Sequence, residues 1–386
     1  MKKELRYIFA HKFFNDLNFM LFELFGTLIL FYKSQSVTLT LLSVIIAKIP
    51  ILLARTVFLR PFLRAHNFIG VKKVLFIGLI GMFLGSLMLF SIQEGMAWFV
   101  FWFFLAHIVQ SFWSMLYHLN INKMILVQIG KSWQTEQISA LRTNLKLVAA
   151  IIISVLGFTF RSDALFNYLL LFGAVNIIIS FFFLAKLKEG IHEKYDFRFK
   201  DIFRNISLGA FLANISIEGN LRKRVFPIYL TLIFVSLETP IVIASAAGLV
   251  SILLNHVAAH FKSRNQNGLI YVTIFLKLIF WVAISLGISH AWASVIIATL
   301  VVYDICRHIL STVQESNYAK EAVQADSSFE TNFAIEFARH TGIALAPAIA
   351  LGFYLLTNTL PETMFLIAIP FMIPGAMYAL KKVWSK

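Results

Sequence analysis

Between Ser216 and Pro227 the chain reads SIEGNLRKRVFP, one acid and three consecutive bases set in apolar sequence. Glu218 and Arg222 are four residues apart, so on a helix they share a face and can pair. Lys223 and Arg224 follow at steps of about 100° and point elsewhere. Gly219, Asn220 and Pro227 offer a local break. Asp16 and Glu23 lie seven apart, nearly on one face of an earlier segment, and Lys48 stands in the next. Two runs, DICRH and EFARH, repeat the pattern acid-x-x-Arg-His: Asp304, Arg307, His308 and Glu336, Arg339, His340. Three kinds of chemistry follow. A carboxylate in a low-dielectric site can take and release a proton near neutral pH. A buried cation can hold an anion or an ion pair. Histidine titrates in the working pH range.

The elements that position these groups are set by composition. The chain has 386 residues, of which 59% are hydrophobic and 14% charged, with a mean hydropathy of +0.79. A soluble domain is less apolar and carries about a quarter charged residues, so the chain reads as an integral membrane protein. The net charge of +15 does not indicate nucleic acid, because the bases collect in alternate short loops rather than in one patch. The single cysteine, Cys306, excludes an internal disulfide and a multi-cysteine metal site. The start MKKELRYIFAHKFF is basic and signal-like, but Asp16 and Glu23 interrupt its apolar part and no small-residue cleavage site follows. It reads as an uncleaved first span.

A span needs roughly 20 apolar residues. Twelve such runs are expected, near 12–33, 37–58, 72–91, 95–117, 138–160, 163–187, 207–234, 240–261, 268–289, 291–313, 332–356 and 362–383. Bases such as Lys2, Arg6, Arg60, Lys72, Arg198, Lys262 and Lys381 fall at the ends and in the even-numbered connections. The odd-numbered connections hold almost only Lys33 and Arg161. Both termini are therefore expected in the cytoplasm. The halves look alike. GMAWFVFWFF opens span 4 and SHAWASVIIA opens span 10. ILFYKSQSVTLTLL after span 1 has the layout of PIYLTLIFVSLETP after span 7, and IIISVLGFTF in span 5 that of PAIALGFYLL in span 11. The expected division is a six-helix half at 1–187, a basic, Phe-containing linker at 188–206 lying on the inner membrane surface, and a second half at 207–386. The linker's alternative role is regulatory or partner-binding.

With this topology and repeat, the chain resembles the major facilitator superfamily over nearly its whole length. That family carries an acidic-Arg pair and a Gly-basic-basic run after span 2. Here the loop reads FLRPFLRAHNFIGVKKVL: Gly70, Lys72 and Lys73 match the second part, and the acid is missing, with His66 and Asn67 nearby. The equivalent HFKSRNQNGL of the second half is more degenerate. The resemblance implies an all-α membrane protein of twelve helices in two pseudo-repeats, transporting by alternating access about a site near mid-membrane.

In that frame span 7 must match span 1 in length. It is expected to start near Ser207, which puts Glu218 to Arg224 near mid-membrane, with Glu218, Arg222 and one neighbour facing the central cavity. In the alternative, span 7 starts late and Arg222 to Arg224 snorkel to the inner surface. Glu218, Arg222 and Lys48 are expected to bind substrate, with Glu23 the first candidate for proton coupling and Asp16 beside it. The opposing reading makes Glu23 an acid neutralised by Lys48 or the span 7 bases. Asp304, Arg307, His308, Glu336, Arg339 and His340, with Arg142, Lys146 and Arg55, fall in one cytoplasmic layer. They are expected to form either an inner gate or a static ionic network. Lys277, in span 9, reads as snorkelling or paired within the bundle. Trp98, Trp102, Trp113 and Tyr117 of span 4 either stack on substrate or pack helices and form an interface belt. The excess of buried bases over acids suggests an anionic or zwitterionic solute.

Enzyme motifs fail. IGKSW lacks the first glycine and preceding strand of a phosphate loop, and IHEKYD has Asp196 where a second metal-ligating histidine belongs. No GxSxG and no Cys/His cluster occurs. No enzyme activity and no cofactor are expected; a proton or sodium gradient is the driving force. The expected partners are the bilayer and a small-molecule substrate, with no nucleic acid, for a monomer of the cell membrane, of bacterial inner-membrane type. Efflux of lipophilic compounds and a non-transporting membrane scaffold are the alternatives.

Overall fold

The computed structural model describes residues 3–93, 95–129, 148, 151–152, 155–156, 159, 164–187, 197–199, 206–235, 239–243, 245–246, 250, 266–287, 295–307, 309–310 and 328–384. Among these residues the chain is helical and has no strand. Among the described residues six helices are long and apolar enough to cross a membrane: Val37–Arg55, Val71–Ser91, Phe99–Tyr117, Phe166–Ala185, Phe333–Thr357 and Glu362–Leu380, with Ile270–Ser285 a shorter apolar one. The chain is a multi-pass membrane protein.

Several boundaries differ from the hydropathy pattern. Span 1 is helical over Lys3–Ser34, well before its apolar run begins. Its early turns are held by packing on span 6: His11 meets the Ser180 hydroxyl at 2.8 Å and accepts from the Tyr117 hydroxyl at 2.8 Å. Span 4 starts at Phe99, because Gly95 (φ 88) and Trp98 (φ 60) take left-handed backbone that ends no helix and begins none. The segment after span 2 is a helix, Leu59–Ile69, rather than a loop. Leu59 and Leu63 face the bundle while Arg60 and Arg64 stay exposed, the pattern of a surface amphipathic helix.

The Gly-basic-basic run has a local mechanical reason. Gly70 adopts φ 83 to turn the chain into span 3, and Lys72 donates to the Leu187 carbonyl just beyond span 6. Lys33, one of the rare bases of the odd-numbered connections, donates to the carbonyls of Phe90 and Ile92, each at 3.1 Å, and to Asn167 at 3.0 Å. It satisfies orphan carbonyls at the end of span 3. Spans 3 and 4 meet through Gly78, Gly81 and Gly85, which share a helix face. A Cβ on Gly81 would stand 1.9 Å from the Trp113 ring and one on Gly85 2.6 Å from the Gln110 backbone, a small-residue seam of the kind that packs membrane helices.

Among the described residues, the segments before and after the linker touch chiefly through spans 2 and 11. At one end Phe31, Val37 and Leu41 share a buried cluster with Tyr229, Ala346 and Ala350. At the other, nearer the termini, Leu59 and Leu63 share one with Ala210, Phe333 and Tyr378. Of the 188–206 stretch the structure describes 197–199 and 206, and its phenylalanines join this second cluster: Phe197 packs its ring 5.6 Å from Phe333, and Phe199 5.4 Å from Phe337.

Candidate functional site

The site is built on a broken helix. Span 7 starts at the Ser207 cap and runs Leu208–Ile215, so the late start is not what is seen. Ser216 then takes left-handed backbone (φ 40, ψ 51). A short helix, Ile217–Asn220, leads into a wide π turn, Leu221–Val225, closed by the Phe226 N–H on the Leu221 carbonyl. The helix resumes over Phe226–Phe234. Pro227 has no N–H to return to Lys223, which favours the wider turn at this place. Gly342 of span 11 makes the break possible, since a Cβ there would stand 1.5 Å from the Ile215 carbonyl oxygen. Gly342→Ala is expected to destabilise the protein by about 1–3 kcal/mol; an unchanged unfolding midpoint in detergent would remove the close approach from the account.

The charges of the break leave in different directions. Glu218 and Arg222 do not pair with each other, contrary to the i,i+4 expectation, because each has a nearer partner on a neighbouring helix. Buried Glu218 binds Lys277 of span 9 at 2.5 Å and accepts from the Tyr303 hydroxyl of span 10. Arg222 binds Asp304 of span 10 at 2.8 Å. Gly219 lets the Arg307 guanidinium lie against the break, with Nε 3.4 Å from where a Cβ would stand. Glu218, Arg222, Lys277, Tyr303 and Asp304 therefore form a network among spans 7, 9 and 10. Lys277 is paired within the bundle and does not snorkel.

Arg224 goes the other way. Its Nη1 lies 3.5 Å from the Cβ position of Gly26, so it reaches span 1, and its Nε has no hydrogen-bond partner. Lys48 of span 2 is buried and donates to Ser111 of span 4. The charges that bear on Lys48 are Arg224 and Arg55. His107, also in span 4, lies 3.3 Å from Ser43 and feels Lys48 and Arg224. A basic layer thus lies where span 7 meets spans 1 and 2, with an apolar cluster on each side of it that joins residues from before and after the linker.

No family model matches the sequence, and no curated protein matches it. Solved structures do match the fold. A bacterial homologue of the iron transporter ferroportin, outward-facing with soaked iron, aligns over 100% of both chains with TM-score 0.66 and 11% identity. A D-xylose–proton symporter aligns over 99% of this chain and 96% of its own at 0.68 and 12%. The nucleoside transporter NupG aligns over 99% of each at 0.63 and 13%. The chain has a major facilitator fold.

Within this major facilitator fold the expected gate residues separate. Asp304 and Arg307 lie against the break of span 7, whereas Glu336 holds Arg339 at 2.7 Å and lies 3.9 Å from His340 on its own helix. Arg55 is fully buried against the Phe333 ring at 5.1 Å. Arg142, Lys146 and His308, and the side chains of Asp16 and Glu23, fall outside the described residues. The span 4 aromatics do not line the seam. Trp98 and Trp102 are exposed on the outside of the bundle, and Trp113 and Tyr117 pack on the span 3 glycines. Sequence reasoning passed over His107 and Ser111. With Gln110 they make a polar stripe at i, i+3 and i+4 in an apolar span, which was the available signal.

Proposed function

We propose that this chain is a secondary active transporter for a small anionic or zwitterionic solute, with twelve spans, cytoplasmic termini and two halves that alternate access to a site at their seam. The observation that carries the reading is the buried basic layer of Arg224, Lys48 and His107, drawn from both halves. Charges inside a membrane protein are costly and mark substrate or ion pathways. Among the described residues the nearby acids, Glu218 and Asp304, are engaged by Lys277 and Arg222, which leaves the Arg224 guanidinium and the Lys48 ammonium to meet an anion. Arg224 takes the substrate role first expected of Arg222, with Lys48 and the Ser111 hydroxyl beside it. The break in span 7 supplies irregular backbone at a site, as in other transporters with discontinuous helices.

A proton gradient is the proposed drive, and one protein of this fold is a proton symporter. Glu23 lies one helical turn before Gly26 in span 1, the position Arg224 approaches. It remains the proposed proton carrier, with Asp16 two turns earlier. Glu23→Gln is expected to reduce proton-driven accumulation by about a hundredfold while exchange of solute across the membrane continues. Unchanged accumulation would take Glu23 out of the coupling step. Both are read in liposomes with and without an imposed pH gradient.

A further inference from the structure

Arg55 stands at the last residue of the span 2 helix and is 0% exposed. None of its three guanidinium nitrogens, Nε, Nη1 and Nη2, has a hydrogen-bond partner. Its visible neighbours are the Phe333 ring and, at longer range, the charge of Glu336. An arginine left this way forgoes five donors in a dry place, an arrangement that proteins normally avoid. Arg55 follows Lys48 by seven residues, so it lies on nearly the same helix face, about 10 Å nearer the terminus end. Phe333 beneath it belongs to the apolar cluster that closes the seam on that side. Arg55 is the next cation after Lys48 along this face of span 2.

We propose that Arg55 is a second anion subsite, placed to receive the carboxylate or phosphate group of the transported solute on the terminus side of the central layer. This rests on the transport reading above. The planar guanidinium suits two-point contact with a carboxylate or phosphate. The Phe333 face holds the cation while the subsite is empty. Glu336 competes with the incoming anion for the same cation and so sets how readily it leaves.

The test is thermal unfolding of the purified full-length protein in detergent, titrated with benzoate and with inorganic phosphate. Arg224→Ala weakens the central layer, so the saturable stabilisation that survives in this variant and responds to substitution of Arg55 is expected to belong to Arg55. Adding Arg55→Lys, which keeps the charge and loses the fork, is expected to weaken the half-saturating concentration about tenfold. Adding Glu336→Gln instead is expected to tighten it. Ligand-free Arg55→Gln is expected to unfold no lower than wild type, because it sheds an unpartnered buried charge. The proposal is overturned if neither probe stabilises Arg224→Ala, or if Arg55→Lys leaves the titration unchanged. It is also overturned if Glu336→Gln weakens binding as Arg55→Lys does, which marks a gate pair, or if Arg55→Gln lowers the ligand-free midpoint. A wild type that transports an anion alongside any of these results leaves the transport reading intact and removes the subsite alone.

Discussion

Lys277→Ala is expected to cost about 3–5 kcal/mol of stability, because it strands a buried carboxylate. Lys277 is 1% exposed and Glu218 6%. The pair is 2.5 Å apart, and the Tyr303 hydroxyl occupies the carboxylate's other oxygen. With the ammonium gone, Glu218 keeps the Tyr303 hydroxyl as its hydrogen-bond donor and only the more distant charge of Arg307. The expected result is little folded protein after solubilisation and a markedly lower unfolding midpoint. Replacing both partners, Glu218→Gln with Lys277→Met, is expected to recover most of the loss, since a matched apolar or neutral pair needs no compensating charge. A single variant that unfolds at the wild-type temperature would contradict the network. The consequence for function is rigidity: Glu218 fixes the short helix after the Ser216 break, and so fixes where the next bases point.

Arg224→Ala is expected to weaken solute binding by roughly a hundredfold, about 3 kcal/mol, the scale for truncating one side of a buried charged contact. Arg224→Lys is expected to fall between, keeping charge and losing the planar fork. The contrast with Arg222 is the informative part. Arg222 is bound to Asp304 at 2.8 Å, so Arg222→Ala is expected to lower stability first and affinity only in proportion to the folded fraction. Equal affinity losses per folded molecule in the two variants would contradict the division of labour. The measurement is equilibrium binding normalised to folded protein.

Much of the architecture was legible because membrane spans announce themselves by length and hydropathy. The mid-helix position of Glu218 to Arg224 followed from matching span 7 to span 1, and the start at Ser207 agrees with it. Which base faced the other half was not legible. A regular helix advances by about 100° per residue, but the π turn closed by Phe226 and Leu221 inserts an extra residue and shifts every later side chain. That shift sends Arg222 to span 10 and Arg224 to span 1. The Glu218–Arg222 spacing suggested a local pair, and tertiary partners outcompeted it. Lys277 could be placed inside a span, but the packing of span 9 against span 7 is a tertiary fact that spacing does not carry. Gly342 gave no signal either, since its value lies in the carbonyl of Ile215 across the helix interface.

The most direct test of the central claim is proton movement in liposomes that hold the purified protein and a pH-sensitive dye, challenged with separate pools of anionic, zwitterionic and cationic compounds. The account predicts flux with the anionic or zwitterionic pool, lost in Glu23→Gln and in Arg224→Ala, while both variants remain folded. Flux with the cationic pool alone, or no flux from any pool under either a proton or a sodium gradient, would contradict it.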